Sequence, residues 1–173
     1  GANFFDADND GDLDCFLLNH PTDLDLSNRI LFKQGPDGKT PIPDLTPLDE
    51  HDADKLYRNE SHPPSGGQGG GKFVNISKQA GIQNFGFGLS VGVTDINADG
   101  WPDNYVGNDF LHPDNLFISN GLTPNPSPTR EGSVTFTDQT SRYFQHTANN
   151  TMGSDLTDFD NDGRVDLMTM DML

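Results

Sequence analysis

The chain has 173 residues, enough for one ordinary domain, and 32% of them are hydrophobic, which supplies a core of modest size. It carries 27 acidic and 10 basic residues, and its formal net charge is −17. Such a charge repels nucleic acids and anionic membrane surfaces and attracts cations, so the composition argues against nucleic-acid binding.

Hydropathy argues against a membrane-spanning protein, and cysteine content argues against a protein stabilised by internal disulfides or by cysteine-bound zinc. No apolar run approaches the roughly 20 residues needed to cross a bilayer. The first ten residues, "GANFFDADND", lack the basic and apolar regions of a signal peptide. We expect that any export signal lies outside this chain or has been removed. The single cysteine, Cys15, excludes an internal disulfide and a cysteine-based zinc site within one chain, and its apolar neighbours favour a buried, unreactive role.

Three acidic loops dominate the sequence in chain order: "DADNDGDLD" (6–14), "DINADGWPD" (95–103) and "DFDNDGRVD" (158–166). They share the pattern D-x-[DN]-x-D-G-x-x-D. Short stretches rich in β-forming residues precede and follow each loop, which predicts strand–loop–strand units. Helical signals are weak, and the best of them, "TDQTSRYFQHT" (137–147), is short. The chain is therefore predicted to be nearly all β.

A second element also repeats. "DKLYRNE" (54–60) is followed by "GKFVNIS", and "DNLFISNG" (114–121) is followed by "VTFTDQT". Leu56 and Leu116 lie 60 residues apart, Phe73 and Phe136 lie 63 apart, and the second and third acidic loops also lie 63 apart, so three independent markers agree on one period.

The interval between the first two acidic loops is longer, at 89 residues. The excess falls in residues 19–54, which are rich in turn-forming residues and are predicted to form an inserted loop. Residues 61–71 and 121–133 are rich in Gly, Pro and Ser and are predicted to lack regular structure.

The spacing of oxygen-bearing side chains within each acidic loop predicts a calcium site. Calcium takes six to eight oxygen ligands, and alternate residues of a tight turn direct side chains to one interior point. Glycine at position 6 lets the backbone reverse, position 7 offers its carbonyl oxygen, and position 9 completes the shell. The predicted ligands are Asp6, Asp8, Asp10, the carbonyl of Asp12 and Asp14; Asp95, Asn97, Asp99, the carbonyl of Trp101 and Asp103; and Asp158, Asp160, Asp162, the carbonyl of Arg164 and Asp166. About three calcium ions are expected in all.

An EF-hand is excluded, because it would have helices on both sides and Glu at loop position 12. That position holds Leu17, Val106 and Thr169 in the three loops.

At this point the sequence resembles a known family. Residues 87–109, "FGLSVGVTDINADGWPDNYVGND", are similar to an FG-GAP repeat, as found in α-integrin β-propellers and in bacterial VCBS-repeat proteins. The match includes the Phe87-Gly88 pair, the acidic loop and the closing Val106-Gly107. With "LYRN" and "HTANNTMGSDLTDFDNDG", nearly the whole chain resembles the cartilage acidic protein-like branch, which is abundant among bacterial surface proteins.

The resemblance implies all-β propeller blades, each a four-stranded antiparallel sheet with calcium held between its first two strands. We expect a first blade at 1–80 with the insertion 19–54, a second at 85–142, and the start of a third at 150–173. Because a propeller closes with about four to eight blades, the chain is predicted to be an incomplete propeller. It is expected to be a fragment of a larger protein or to join other copies through open blade edges.

The resemblance implies an extracellular or cell-surface, non-catalytic module for adhesion or for binding a protein or glycan. Two alternatives stay open: a structural subunit that assembles into a larger complex or polymer, and part of a carbohydrate-active enzyme. Nucleic acid and direct membrane insertion are not expected. Residues 88–92 fit the G-x-S-x-G nucleophile elbow around Ser90, but an acidic loop follows instead of a helix, so a catalytic role is not predicted.

Several polar residues on the insertion and the long loops are candidates for partner contacts, although packing or solvation explains each of them as well. These candidates are His20, Tyr57, His112 and Tyr143. Three N-x-[ST] sequons matter only if the source organism glycosylates such sites, and they begin at Asn59, Asn75 and Asn149.

Overall fold

The computed structural model describes residues 1–20, 32–34, 38–39, 41–43, 52–60, 72–109, 112–123, 132–148 and 150–172. Within these residues the chain is mostly β, as predicted, and every strand pairing is antiparallel. Two helices of four residues each complete the described structure. Neither helix is long or apolar enough to cross a membrane.

The strands, in chain order, are β1 (Ala2–Phe5), β2 (Asp14–Leu17), β3 (Phe32–Gln34), β4 (Pro41–Pro43), β5 (Lys55–Asn59), β6 (Phe73–Asn75), β7 (Phe87–Thr94), β8 (Asp103–Asp109), β9 (Asn115–Thr123), β10 (Ser133–Asp138), β11 (Thr151–Thr157) and β12 (Asp166–Asp171). Helix α1 (Ser77–Ala80) follows β6, and helix α2 (Thr140–Tyr143) follows β10 within the segment predicted to be helical.

Two four-stranded antiparallel sheets form the body of the molecule. The first has the order β1-β2-β5-β6, and the second has the order β7-β8-β9-β10. Strands β11 and β12 form a two-stranded sheet that packs on β7 and β8 of the second sheet. Each of the three units begins with a strand pair joined by one of the acidic loops.

Two segments predicted to be irregular contain strands. The insertion 19–54 includes the hairpin β3–β4, and Gly38 between its strands has the positive φ of 64° that favours glycine in a turn. Its last residue, Asp54, is fully buried beside β5 and so belongs to the body of the fold. Strand β9 extends to Thr123, into the segment expected to start a loop at Gly121. In both cases pairing with a neighbouring strand outweighs the local turn composition.

The repeats correspond position by position in sequence and in strand register, and we call residues at the same place in successive units counterparts. In the first strand pairs, the offset is 89 residues from the first unit to the second and 63 from the second to the third. The pairing of β7 with β8 slips between Gly88 and Ser90, and that of β11 with β12 slips between Thr151 and Gly153. These two irregularities are also 63 residues apart, so the units repeat in register detail.

Two apolar clusters hold the units together. The closed interface, between the first and second sheets, buries Phe5, Ala7, Phe16, Leu18, Leu56, Ile76, Ala80, Ile82, Val106, Phe117, Val134 and Phe136, with Val74, Val91 and Val93 at its margin. The open interface, between the second sheet and the β11–β12 hairpin, buries Tyr105, Leu116 and Ile118, with Ile96, Phe144, Leu156 and Leu167 only partly covered.

Candidate metal centre

The three acidic loops share one backbone conformation. The residue at loop position 4 has a positive φ in each case, and so does the glycine at position 6. These angles are 57° at Asn9, 58° at Ala98 and 61° at Asn161, and 94° at Gly11, 89° at Gly100 and 84° at Gly163. A non-glycine residue with positive φ is uncommon, and Asn tolerates it better than Ala. Two left-handed residues two positions apart wind the chain tightly enough to turn successive acidic side chains inward.

The aspartate at position 1 holds each loop in place. Asp6 accepts backbone hydrogen bonds from Asp10 N (3.0 Å) and Gly11 N (2.9 Å). Its counterparts do the same: Asp95 accepts from Asp99 N (3.0 Å) and Gly100 N (2.8 Å), and Asp158 accepts from Asp162 N (3.0 Å) and Gly163 N (2.9 Å). One carboxylate therefore bridges two N–H groups at the same place in all three loops.

The aspartate at position 5 makes a similar contact with position 7. Its Oδ1 accepts the N–H of the residue predicted to offer a carbonyl. The pairs are Asp12 N to Asp10 (2.8 Å), Trp101 N to Asp99 (2.9 Å) and Arg164 N to Asp162 (2.9 Å). These bonds hold the backbone N–H of position 7, directly after the glycine. They do not involve its carbonyl oxygen, which is the predicted ligand.

Two groups of carboxylates could hold a metal ion. One is Asp6, Asp8 and Asp10, and the other is Asp158, Asp160 and Asp166; within each group the ligand oxygens lie within 4.8 Å of one another. Five of these six residues are at positions 1, 3 and 5 of the pattern, and Asp166 is at position 9. The structure thus brings together part of the first and the third predicted ligand sets, without Asp14 and Asp162, and among the described residues it forms no such group from the second set.

The second loop differs at position 3, where Asn97 replaces an aspartate. Asn97 Oδ1 accepts the N–H of Asp99 (3.0 Å), and its Nδ2 donates to Asp99 Oδ2 (2.9 Å). The amide is uncharged, so this loop lacks the repulsion that a fourth carboxylate would add to Asp95, Asp99 and Asp103. It also offers one oxygen where a carboxylate offers two.

Asp8 is the most unusual member of the first loop. It is only 5% exposed, and its Oδ1 has no hydrogen-bond partner among the described residues. Burial, followed by the charges of Asp10 and Asp14, raises the pKa of Asp8 to about 6. A buried carboxylate oxygen without a donor is costly in a folded protein. Its chemistry suits a cation better than a proton-donating neighbour, because the surrounding groups are also acidic.

The aspartate at position 9 joins each of the first two loops to the third strand of its sheet. Asp14 accepts from Ala7 N (3.0 Å) and from Asn59 N in β5 (2.7 Å). Asp103 likewise accepts from Ile96 N (2.9 Å) and from Ser119 N in β9 (2.8 Å). Both carboxylates are buried, which raises their pKa values. The sequence pattern marked this position only as a metal ligand, and this second role requires knowledge of which strand lies alongside.

Two further aspartates, Asp54 and Asp114, were not predicted as functional residues. Both are completely buried. Asp54 accepts from Asn19 N (2.8 Å) and Asn84 Nδ2 (2.7 Å), and burial raises its pKa to about 6. The sequence did contain a signal for them, since each begins one of the two repeated D-x-L elements.

Asp114 connects successive units of the fold. It accepts the N–H of Asn108 (2.7 Å), the hydroxyl of Tyr105 (2.5 Å) and the hydroxyl of Thr151 in β11 (2.8 Å). Burial raises its pKa, while these three donors lower it. The carboxylate therefore ties β8 of the second sheet to the β11–β12 hairpin.

Two of the candidate contact residues pack on one aromatic ring. His20 Nε2 lies 3.0 Å from Gly88 O, and its ring meets Phe87 edge-on with centroids 5.8 Å apart. His112 lies 6.3 Å from the same ring, and burial lowers its pKa. Both histidines therefore contact Phe87, and His20 is exposed whereas His112 is partly buried.

The remaining candidates are distributed over the fold. Tyr57 is half-buried in β5, and Tyr143 is exposed at the end of α2. Asn75 Oδ1 accepts from Ser77 N (3.0 Å) and Ser77 Oγ (2.6 Å), Asn59 ends β5, and Asn149 lies outside the described residues. Ser90 lies within strand β7 with its Oγ 3.0 Å from Ser154 Oγ, so the chain does not form the strand-to-helix turn of a nucleophile elbow there.

A scan against protein-family models finds no match for this chain, and a search of the curated proteins finds none. The resemblance to FG-GAP repeats therefore depends on the sequence motifs and stays a prediction.

Proposed function

We propose that the chain is a non-catalytic, calcium-binding module of an extracellular or cell-surface protein, built from FG-GAP/VCBS-type propeller repeats, that serves adhesion or the binding of a protein or glycan. The observation that carries the calcium assignment is the unpartnered, buried Oδ1 of Asp8 within a group of three converging carboxylates. The recurrence of the same loop hydrogen bonds at two more places extends the proposal to three sites.

The donor set favours calcium over other common metals. Every predicted ligand is an oxygen, and oxygen ligands suit calcium, magnesium and manganese rather than zinc or copper. Magnesium demands a smaller, nearly ideal octahedron and gives up its water reluctantly. A nine-residue loop with several flexible carboxylates suits the larger and more variable calcium shell.

Calcium would contribute directly to stability. Eleven of the 27 acidic residues supply side-chain ligands to the three predicted sites, where their carboxylates repel one another in the absence of a cation. With dissociation constants on the order of 10⁻⁵–10⁻⁴ M, millimolar extracellular calcium stabilises the folded state by roughly 1.4–2.7 kcal/mol per site. Three such sites together are comparable with the total stability of a modest domain. The metal would therefore act as part of the scaffold, and loops outside the sheets would supply the partner contacts.

Calorimetric titration of the chelator-treated chain tests the proposal, with melting curves recorded beside it. We expect about three calcium ions to bind and the melting temperature to rise by many degrees, whereas magnesium restores little of that rise. A chain whose melting temperature is indifferent to chelator and to added calcium would refute the metal assignment.

A matched pair of variants sharpens this test. Asp8→Asn and Asp12→Asn each remove one negative charge from the first loop, but only Asp8 offers its side chain to the predicted site. We expect Asp8→Asn to weaken one site at least about tenfold, a loss of about 1.4 kcal/mol, and Asp12→Asn to stay within about twofold of the parent. Equal effects of the two variants would mean that the loop attracts calcium only through its net charge.

A further inference from the structure

A hydrogen bond joins the first acidic loop to the second. Asn9 Nδ2, at position 4 of the first loop, donates to the carbonyl oxygen of Gly100, at position 6 of the second loop, over 3.1 Å. Neither atom is a predicted ligand. Asn9 lies between the predicted ligands Asp8 and Asp10, however, so its backbone is part of the turn that places both of them. The bond therefore links two ligand sets through their backbones and uses no ligand oxygen.

On the second loop, the bond holds the peptide group between Gly100 and Trp101. A trans peptide is planar and directs its C=O and N–H to opposite sides. Its carbonyl accepts from Asn9, and its N–H, Trp101 N, donates to Asp99 Oδ1 at 2.9 Å. The position of the Asn9 amide and the direction of the Asp99 carboxylate therefore depend on each other. Asp99 is a predicted ligand of the second site, and Trp101 carries its predicted carbonyl ligand.

The second loop also covers the first. Asp8 is only 5% exposed, and its neighbours on both sides meet the second unit. Ala7 is completely buried in the cluster of the closed interface, and Asn9 bonds Gly100. The counterpart of Asp8 is Asn97, which is exposed although the third loop follows it in the chain. Burial of the ligand at position 3 therefore accompanies the link between the first two loops and is missing at the second loop.

The second loop lacks the donor that would form the same link to the third. Its residue at position 4 is Ala98, the counterpart of Asn9. The φ of 58° at Ala98 is nearly the same as the 57° at Asn9, so the two backbones direct their side chains alike. A methyl group donates no hydrogen bond, so Ala98 has nothing to offer the carbonyl of Gly163, the counterpart of Gly100. The sequence thus provides the link for the first pair of loops and not for the second pair.

We propose that the bond from Asn9 to Gly100 couples the first two calcium sites, so that calcium at either one raises the affinity of the other, whereas the third site binds calcium independently. The inference rests on the proposed calcium sites. Without a cation the carboxylates of a loop repel one another, and binding fixes the turn that bears Asn9 or the peptide group that accepts its bond. The second ion then meets a loop that is already partly ordered.

The expected size of this coupling follows from the bond that carries it. By linkage, each site changes the affinity of the other by the same factor. The net contribution of one hydrogen bond corresponds to a factor of about three to ten in a binding constant. This factor is large enough to measure site by site.

The glycine at position 6 of each loop provides a signal for its own site. Calcium is titrated into the chelator-treated, isotope-labelled chain, and the backbone N–H resonances of Gly11, Gly100 and Gly163 report the occupancy of the three sites in order. We expect Asp8→Asn to move the midpoint of the Gly100 signal to about three- to tenfold higher calcium. Asp160→Asn makes the same charge change in the third loop and should move the Gly100 midpoint less than about twofold.

A second pair of variants tests whether the bond itself carries the coupling. Asn9→Ala removes the donor, and Asn161→Ala makes the same change at the left-handed position of the third loop. In an Asn9→Ala chain, adding Asp8→Asn should move the Gly100 midpoint less than about twofold. In an Asn161→Ala chain the shift of about three- to tenfold should remain.

A kinetic measurement replaces the titration if the chelator-treated chain unfolds. The calcium-loaded chain is mixed with a fluorescent chelator, and the release of each ion is timed. We expect Asn9→Ala to accelerate the release of two ions by about threefold or more, because the coupling stabilises both loaded sites. Asn161→Ala should accelerate the release of one ion at most.

The outcomes separate this inference from the calcium assignment. If none of the three glycine signals responds to calcium, the proposed metal sites are wrong and the coupling falls with them. If all three respond and Asp8→Asn leaves the Gly100 midpoint unchanged, the sites bind calcium independently and only the coupling is refuted. A midpoint at lower calcium would mean that the two ions repel each other. A shift that persists in the Asn9→Ala chain would assign the coupling to other contacts of the closed interface, which also overturns the proposal.

Discussion

The closed and open interfaces are built on the same wall positions but differ in what covers them. At the closed interface, Phe117, Val134 and Phe136 of the second sheet complete the cluster around Phe16 and Val106. At the open interface the counterparts of Phe16 and Val106 border a cavity. The comparison shows that the burial of a position depends on which strands lie over it, and that its own strand pattern is not sufficient.

Three counterparts on the second strands of the units make this point quantitatively. Phe16 is completely buried, Tyr105 is 2% exposed and Met168 is 54% exposed, although all three occur at the same place in the repeat. Each faces the direction in which the next unit would lie. The first two meet such a unit within the described residues, which is why they are buried there and Met168 is exposed.

The largest expected difference between the interfaces concerns these counterparts. Phe16→Ala removes a fully buried ring from the closed interface and should destabilise the calcium-saturated chain by about 3–5 kcal/mol. Met168→Ala should change the free energy of unfolding by less than about 0.5 kcal/mol. Urea denaturation of both variants measures the difference. Similar losses would mean that Met168 is covered in solution.

The second-largest expected loss of stability comes from Asp114→Asn, which should weaken the link between the second sheet and the β11–β12 hairpin. The new amide nitrogen must face at least one of the donors Tyr105, Asn108 and Thr151, so we expect a loss of about 2–3 kcal/mol in unfolding free energy. Asp155→Asn, at an exposed position on β11, is the control and should have little effect. A neutral Asp114→Asn would contradict the linking role of this carboxylate.

Glycines at the two interfaces should respond differently to an added methyl group. A Cβ at Gly107 would lie 2.6 Å from Ser90 Oγ and closer still to Thr151 Cγ2, so Gly107→Ala should cost about 1–2 kcal/mol and accelerate hydrogen exchange in β11. At Gly88 the nearest atom is Leu18 Cδ2 at 2.9 Å, the far end of a flexible side chain. Gly88→Ala should therefore be tolerated better. The reverse order would show that the β11–β12 hairpin moves more freely than the closed interface.

The smallest expected effect is a gain in stability from Asn104→Leu. Asn104 is completely buried, and neither amide atom has a partner among the described residues, whereas its counterpart in the third unit is Leu167. Leucine is similar in size and needs no hydrogen bond, so we expect a gain of about 1 kcal/mol by thermal denaturation. Asn108→Leu is the control and should be destabilising, because the Asn108 amide donates to Pro113 O (2.7 Å). Destabilisation by Asn104→Leu would reveal an interaction of Asn104 that the described contacts do not include.

Much of the local structure could be predicted from the sequence because it depends on neighbours along the chain. The strand–loop–strand units follow from alternating β-forming stretches around an acidic turn. The shared loop geometry follows from glycine at position 6 and from short side chains that bond backbone N–H groups two to five residues away, as Asp6 does with Asp10 and Gly11. The weak helical signal at 137–147 likewise corresponds to α2.

The remaining features depend on contacts between distant segments, and only the tertiary structure decided them. Asp14 and Asp103 bond strands that follow them by 45 and 16 residues, and Asp114 meets Thr151 across 37 residues. Similarly, Phe16 and Met168 share a sequence position in the repeat and differ in burial. By itself the sequence determined the repeated loops and strands, since local sterics and hydrogen bonding specify them. The packing of whole units against one another decided which carboxylates link strands and which apolar faces are buried. The reason is that the burial of a residue depends on the residues that pack over it.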